Sequence, residues 1–338
     1  MRLLRIALIY GGAGCEHAVS VLGGENLRRI LAQRREFEIL PVFIDKAGDW
    51  YLKKRGKYIP TYPVRRDCQS GFLVGRKILP VCCAIPLLHG DFGEDGRVQG
   101  ALDCAGIRCV GSGVVGGALC SDKIYTKIIA ESLGVPTVPY IAPTTPSAAE
   151  ARSLAEEKIG YPMFIKPACL GSSIGAHEVP SAEDFDAAYA DAYTRGGARL
   201  LIERLVSPRR ELECACLIDK EGIRVSHPGE IKIESFYSYH EKYSTESKAK
   251  LCLHSDIPRE IEERLSEYCR ILCEGLSVRG LCRIDFFLSG DEIYLNEINT
   301  MPGFTESSLY LRLMKETGLG EHELVLRLIN EAMERAEP

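Results

Sequence analysis

The stretch "RIDFFLSGDEIYLNEIN" (residues 283–299) places a guanidinium, two carboxylates and an amide in a hairpin-like pattern. Its Ser-Gly-Asp cluster reads as a tight turn between two β-rich runs. With the turn centred near Gly290 and Asp291, Asp285 falls opposite Glu297 and Arg283 opposite Asn299. The period of two then sets all four on one face of the pair. Phe287, Leu295 and Ile293 are expected on that same face nearer the turn, which would make it partly apolar. Two carboxylates and an amide oxygen converging there repel each other and lose hydration unless a cation joins them. Hard oxygen donors, few in number, suit a magnesium ion that is also held by the phosphates of a substrate. The alternative is a polar sheet edge with a salt bridge from Arg283 to Asp285 or Glu297.

Two other clusters bear on phosphate. In "KPACLGSSIG" a strand-borne Lys166 precedes a Gly-Ser-Ser-x-Gly loop, able to wrap phosphates with backbone N–H groups and hydroxyls, although such loops also serve as linkers. In "SDKIYTK" Lys123 sits near a helix start, where it could add a second positive charge or simply be an exposed helix lysine.

The elements that must carry these residues follow from pattern. "LLRIALI" (3–9) and "EILPVFI" (38–44) are strands around a helical stretch near 19–33. With "AIPLLHG" and "LDCAGIRCVGS" following, the first third is expected to be an open, largely parallel sheet. Ligands of such sheets sit beyond the carboxyl ends of the strands, where glycine-bearing loops lie. A new unit begins at "SDKIYTKIIAESLGVPTVPY", a capped helix with a Gly-Val-Pro stop. A strand-loop-strand through "YPMFIKPACLGSSIGAHEV", a helix near 181–195 and the strand "RLLIERLV" come next. The last third carries "LECACLI", a polar stretch at 235–250, a helix near 258–276, the hairpin and a C-terminal helix.

Composition limits the function classes. The 338 residues are 46% hydrophobic and 26% charged, enough for a full core in two or three domains. A net charge of −5 without a long basic run argues against a nucleic-acid partner. "MRLLRIALIYGG" runs into Gly-Gly without a small-residue cleavage site, as a first strand does. No segment approaches a membrane span. The 14 cysteines lack paired C-x-x-C motifs and read as reduced, mostly buried small hydrophobes of a cytosolic protein.

Taken in order, "GGAGCEHAVS", "HGDFGEDGRVQG", "KPACLGSSIG", "RIDFF" and "NEINTMPGFTESSL" closely resemble the D-alanine:D-alanine ligases of the ATP-grasp superfamily, over nearly the whole chain. The resemblance implies an α/β, ATP-grasp fold: a substrate-binding N-terminal α/β domain (1–122), and two α+β subdomains clasping ATP, one central (123–207) and one C-terminal (208–338) with the metal site and a mobile loop. It implies that ATP phosphorylates one D-alanine carboxylate and that a second D-alanine amine attacks the acyl phosphate, giving a dipeptide for peptidoglycan. Magnesium or manganese, two ions, would be held by Asp285, Glu297 and Asn299.

By the same resemblance, Arg283 and the Gly303 N–H stabilise the reacting carboxyl, and Lys123, Lys166, Ser172 and Ser173 belong to the ATP site. Glu203 is the adenine-side acid and Glu211 the ribose acid, with one extra residue in "SPRRE" between them. Glu16 anchors the first D-alanine's ammonium, linked to Ser172 and Tyr243, and His89 contacts substrate. Ser308 and Leu309 receive the second carboxylate; otherwise they are a helix N-cap and a core leucine. Residues 235–250 would close over the site, with Lys242 (ATP) and Tyr243 as its "KY" pair. Gly14 stands where the family has serine, and "SLYLRL" lacks a proline near Tyr310.

Implied partners are D-alanine and ATP, with no nucleic acid and no membrane, in a cytoplasmic homodimer. A D-alanine:D-lactate or D-alanine:D-serine ligase is the rival. His240 keeps lactate open, Lys242 and Tyr243 favour D-alanine, and Leu309 stands where D-serine types place a basic residue. A non-catalytic nucleotide-binding protein built on "GGAGCE" would leave the hairpin acids unexplained, and its glycines are not G-x-G-x-x-G.

Overall fold

The computed structural model describes residues 3–232 and 250–335. The first sheet is built from β1 (Leu4–Gly11), β2 (Phe37–Ile44), β3 (Trp50–Lys54), β4 (Lys57–Arg66), β5 (Gln69–Val74), β6 (Lys77–Pro80) and β7 (Cys83–Leu87). Its order is β6-β5-β4-β3-β2-β1-β7. The expected parallel pairing holds for β2, β1 and β7. From β2 outward the pairing is antiparallel instead, a meander through β6. Two-residue turns at Arg55-Gly56 and Gly75-Arg76 leave no room for the crossover that parallel strands require.

Between β1 and β2 runs α1 (His17–Ala32), which buries Leu27, Ile30 and Leu31 at helical spacing. Gly11, at φ +99°, ends β1 where a Cβ would lie 2.1 Å from the Ile44 carbonyl oxygen. Only glycine permits that turn, and the loop it starts delivers Glu16 to the head of α1. The Gly11 N–H donates to Ser20 Oγ at 2.8 Å, and Ser20 donates onward to the Leu87 carbonyl, tying this loop to β7. Two short helices follow β7, α2 (Arg97–Cys104) and α3 (Val114–Ser121).

The second sheet belongs to residues 123–204: α4 (Lys123–Ser132), β8 (Tyr140–Ile141), α5 (Ala148–Lys158), β9 (Met163–Pro167), β10 (His177–Val179), α6 (Ala182–Gly196) and β11 (Leu200–Arg204). It is antiparallel, in the order β10-β9-β11-β8, and has a core of its own around Ile165, Phe185 and Tyr189. In α4, Asp122 caps the first turn by accepting from the Ile124 N–H at 3.0 Å. The buried stripe of α4 is Lys123, Thr126, Lys127 and Ala130. Two lysines on the inward face of a helix need anions inside.

The third sheet contains β12 (Arg210–Asp219), β13 (Gly222–Val225), β14 (Gly229–Lys232), β15 (Lys250–Cys252), β16 (Gly280–Ser289) and β17 (Glu292–Asn299). Its order is β15-β14-β12-β16-β17 with β13 on β12, all antiparallel. Between β15 and β16, α7 (Arg259–Gly275) covers one face with Ile261, Leu265, Cys269, Leu272 and Cys273. Beyond β17 come α8 (Leu309–Glu316) and α9 (Glu321–Glu334). Their apolar residues join Leu8 and Ile85 of the first sheet with Leu217 and Leu281 of the third in one core. The first and third sheets therefore share a hydrophobic interior, while the second has a separate one.

Candidate active site

A cleft of about 1050 Å³ is lined by α1 and the loop after β7, by the glycine-serine loop after β9 and by strands of the third sheet, and a recess of about 100 Å³ adjoins it under β9 and β11. Lys123, Ser172, Glu211 and Glu297 line both spaces.

The hairpin has the register its spacing predicts: Asp285 pairs with Glu297 and Arg283 with Asn299, around a turn at Gly290 and Asp291. One expectation fails. The register shifts after Asp285, so that Phe286 pairs with Leu295 and Asn296 is the extra residue of a β-bulge. The bulge inverts the alternation, placing Ile293 and Leu295 in the core behind the sheet while Phe287 stays on the cleft side. The cleft face of β17 thus gains Asn296 beside Glu297 and Asn299.

Arg283 is not a rim charge. Its Nε lies 2.9 Å from Glu213 and 2.8 Å from Asp285, and its Nη2 donates to Asp285 Oδ2 at 2.8 Å. Burial opposes its charge, but Asp285 and Glu213 outweigh burial and hold the guanidinium firmly protonated. Asn299 Nδ2 donates to Asp285 Oδ2 at 3.1 Å, which leaves the Asn299 amide oxygen on the side away from that bond.

Lys123 is 8% exposed, which removes the surface-lysine reading. Its Nζ reaches Glu297 at 3.2 Å and the Leu170 carbonyl at 2.9 Å, so it joins α4, the glycine-serine loop and the hairpin. Lys166 meets Glu203 at 2.8 Å and donates to Asn296 Oδ1 at 3.0 Å. Lys127, one turn after Lys123 and fully buried, meets the other Glu203 oxygen at 2.6 Å. Burial alone would raise the Glu203 carboxyl, yet the two ammonium groups bring it down to about 2. Burial and the neighbouring lysines keep Lys166 below the usual lysine range despite Glu203. One carboxylate thus serves two ammonium groups, leaving a surplus of positive charge facing the recess. The Glu203 carboxylate is committed to that role. Glu211 lies 3.3 Å from Arg209 Nε at the recess edge, and Ser172 and Ser173 border the recess with φ of +53° and +58°.

At the other end of the cleft, Ser172 donates to Glu16 Oε1 at 2.6 Å, across 156 positions of sequence. His89 is buried, and its Nδ1 stands 2.8 Å from the Met301 carbonyl, which can only accept. Nδ1 therefore carries the hydrogen, and Nε2, which has no partner among the described residues, presents its lone pair. Burial lowers the pKa of this ring and keeps it neutral. Glu94 accepts from the N–H of Gly90 and the N–H of Met301, both at 2.8 Å, stapling the loop after β7 to the turn after β17. Burial pushes its carboxyl up to about 7 against those two bonds, although one edge of the side chain remains open to the cleft.

Ser308 occupies the N-cap position of α8 without capping it: its Oγ accepts the Thr305 N–H at 2.9 Å. Leu309 is both a core residue and a cleft wall. Gly303 faces Ser308, where a Cβ would lie 2.9 Å from the hydroxyl oxygen.

Lys242, Tyr243 and His240, with most of the stretch expected to close over the site, lie outside the described residues. Sequence reasoning missed Lys127, Glu94, Glu213 and Asn296. Lys127 shares a helix face with Lys123, Glu213 shares a strand face with Glu211, and Glu94 lies inside "HGDFGEDG". Asn296 had no periodic signal, because the bulge breaks the period.

The family descriptions "D-ala D-ala ligase N-terminus" and "D-ala D-ala ligase C-terminus" match residues 5–112 and 129–330. The chain is similar to the D-alanine–D-alanine ligase of Deinococcus radiodurans, 37% identical with 98% of each chain covered. It also resembles ligase B of Bradyrhizobium diazoefficiens, 36% identical over 99% of this chain and 95% of the relative. Among solved structures, D-alanyl-alanine synthetase A of Vibrio cholerae superposes with a TM-score of 0.88 at 29% identity, covering 99% of this chain and all of that one. The VanG D-Ala:D-Ser ligase of Enterococcus faecalis superposes with a TM-score of 0.89 at 29% identity, covering 98% of this chain and all of that one.

Proposed function

The chain belongs to the D-alanine–D-alanine ligase family, and from that premise we propose that it joins two D-alanine molecules at the expense of ATP, supplying a dipeptide for peptidoglycan. The observation that carries the reading is the convergence, in one cleft, of an acid-and-amide hairpin, a buried lysine pair and an acceptor-rich pocket around Glu16.

A carboxylate is a poor acyl donor, and phosphorylation converts one of its oxygens into a leaving group. The first step therefore needs positioning and charge neutralisation rather than covalent help from the protein. Lys123 and Lys166 are the cations for the transferring phosphates, and the depressed pKa of Lys166 marks a cation whose environment improves when a further anion arrives. Ser173 adds a hydroxyl, and the loop at Ser172 and Ser173 adds backbone N–H groups, the Ser172 hydroxyl being spent on Glu16. Glu211 and the backbone beside Glu203 form the nucleoside end of the recess.

Asp285, Glu297 and the Asn299 amide oxygen are hard donors suited to one or two magnesium or manganese ions. Bound there, such ions would supply charge neutralisation for the phosphates. Arg283, locked by Asp285 and Glu213, presents a fixed positive charge to the carboxyl that becomes the acyl phosphate. The Gly303 N–H donates to the oxyanion formed when the second amine attacks.

Glu16 and the neutral His89 offer acceptors and no competing acidic hydrogen at Nε2, as a substrate ammonium requires. Ser172 orients Glu16. Ser308 and the N–H at the head of α8 receive the second carboxylate, near a helix N-terminus that favours an anion. A domain limit near 207/208 is supported by the separate core of the second sheet, whereas Ala130 and Val135, just after the expected limit at 122/123, pack into the core of the third. A homodimer and a cytoplasmic place of action complete the reading by likeness to the family. Among the described residues, no helix is long and apolar enough to cross a membrane.

The test is phosphate release from ATP with D-alanine alone, then with D-serine or D-lactate added. Saturable release with D-alanine alone supports the reading. Release only in the presence of D-serine or D-lactate would assign a different acceptor, and none under any condition would refute ligase function.

A further inference from the structure

Behind the hairpin, on the face of the third sheet turned away from the cleft, lies a cluster of thiols that ligase chemistry does not use. Cys216 on β12 is directly opposite Cys282 on β16, and Cys273 comes down onto them from α7. The three are 0–1% exposed, and their sulfurs all lie within 4.8 Å of one another, with Cys273 Sγ 3.7 Å from Cys282 Sγ. Among the described residues this is the one group of three or more His, Cys, Asp or Glu ligand atoms so close together. All are free cysteines.

We infer that Cys216, Cys273 and Cys282 form a closed three-thiolate site for a soft d10 metal ion, copper(I), in the core behind β16. Three sulfurs at roughly 2.3 Å from a central ion in a plane stand about 4 Å apart, a spacing the cluster already has within a few tenths of an ångström at Cys273 and Cys282. Thiolates select soft ions, whereas the hairpin's oxygens select hard ones, so the two sites would not compete for metal. Zinc fits less well. It takes four ligands in structural sites, and Cys269, though it touches Cys216, falls outside the close group.

Binding forms three Cu–S bonds and releases three thiol protons to solvent, with no electron transferred. Arg270, an exposed residue of α7, acts on Cys216 through its charge and offsets part of the negative charge left behind. The ion would fasten α7 to β12 and β16 immediately beside Arg283, stiffening the strand that carries Arg283 and Asp285.

The test is an anaerobic incubation of the reduced protein with one equivalent of Cu(I) a few degrees below its melting transition, where local opening admits the ion. Challenge with a Cu(I) chelator follows, with retained copper, the copper–thiolate charge-transfer band and the melting temperature as readouts. The site predicts one copper per chain and a raised melting temperature, both kept in a Cys15→Ser/Cys68→Ser/Cys104→Ser variant that removes exposed thiols. Losing an outer partner of a metal ligand already costs 10–100-fold, so Cys273→Ala or Cys216→Val should weaken binding at least about 100-fold. Each variant's own metal-free melting curve shows that it folds. The proposal is overturned if the unaltered protein yields its copper to the chelator, if both core variants bind as it does, or if zinc is held as tightly as copper.

Discussion

Replacing Glu203 by Gln removes the one carboxylate that two buried lysines share. The fall of this carboxyl from an ordinary 4.5 to about 2 corresponds to about 3 kcal/mol of folding free energy. A depressed acid contributes this above its unfolded pKa of 4.5 and loses it as pH falls toward 2, so at neutral pH all of it is present. Breaking a buried ion pair from one side costs about 3–5 kcal/mol by general experience. Lys166 already carries part of the burial cost in its lowered pKa, which points to the lower figure. At roughly 2–4 °C per kcal/mol for a chain of this size or a little smaller, Glu203→Gln should melt about 6–12 °C below the unaltered protein. Scanning calorimetry without nucleotide, near neutral pH, measures this. Adding Lys127→Met, which removes the fully buried ammonium left unpaired, should restore a substantial part of the loss. A single variant as stable as the parent, or a double variant no better than the single, would refute the shared-counterion account.

Asp285→Asn and Glu297→Gln should each abolish metal-dependent ligation while the circular dichroism spectrum stays that of the parent; retained turnover would contradict the metal assignment. Gly303→Ala puts a methyl 2.9 Å from Ser308 Oγ and displaces the donor turn, so kcat should fall roughly 100-fold with little change in melting temperature, and near-normal kcat would count against Gly303 as oxyanion donor. Ser172→Ala removes a hydrogen bond to a charged acceptor, a loss of about 1.5–3 kcal/mol that should raise the KM for the first D-alanine roughly 10–100-fold and leave that for ATP nearly unchanged. Glu94, raised to about 7, binds its proton more tightly folded than unfolded, so stability should decline as pH rises from about 4.5 to 7 and level off above. Cleft water screens the group and brings that decline to about 1 kcal/mol, and Glu94→Gln should flatten it; an unchanged pH profile would sink this reading.

How much was legible in the sequence depended on whether a residue's partner was local. The Asp285–Glu297 and Arg283–Asn299 pairs follow from a turn signal and a period of two, and both are present. The same arithmetic misplaced Ile293 and Leu295, because a bulge at Asn296 inverts the alternation and no residue type announces a bulge. Lys123 was ambiguous as a lone helix lysine. What fixes it is Glu297, 174 positions away, and the burial of its helix face, neither of which lies in the local pattern. The antiparallel strands β3 to β6 carry little local signal because they are half-exposed, two prolines interrupt β4, and β3, β5 and β6 have only four to six residues each. Glu94 and His89 were visible as residues of a motif, but their common anchor on Met301 exists only in three dimensions.

The central claim is that a D-alanine carboxylate is activated as an acyl phosphate in this cleft. Supplying D-alanine labelled with oxygen-18 in its carboxylate, with unlabelled ATP and water, tests it directly by mass spectrometry of the dipeptide and the released phosphate. The account predicts D-alanyl-D-alanine together with phosphate carrying one labelled oxygen for each dipeptide formed. Unlabelled phosphate, or label appearing in adenosine monophosphate, would contradict it.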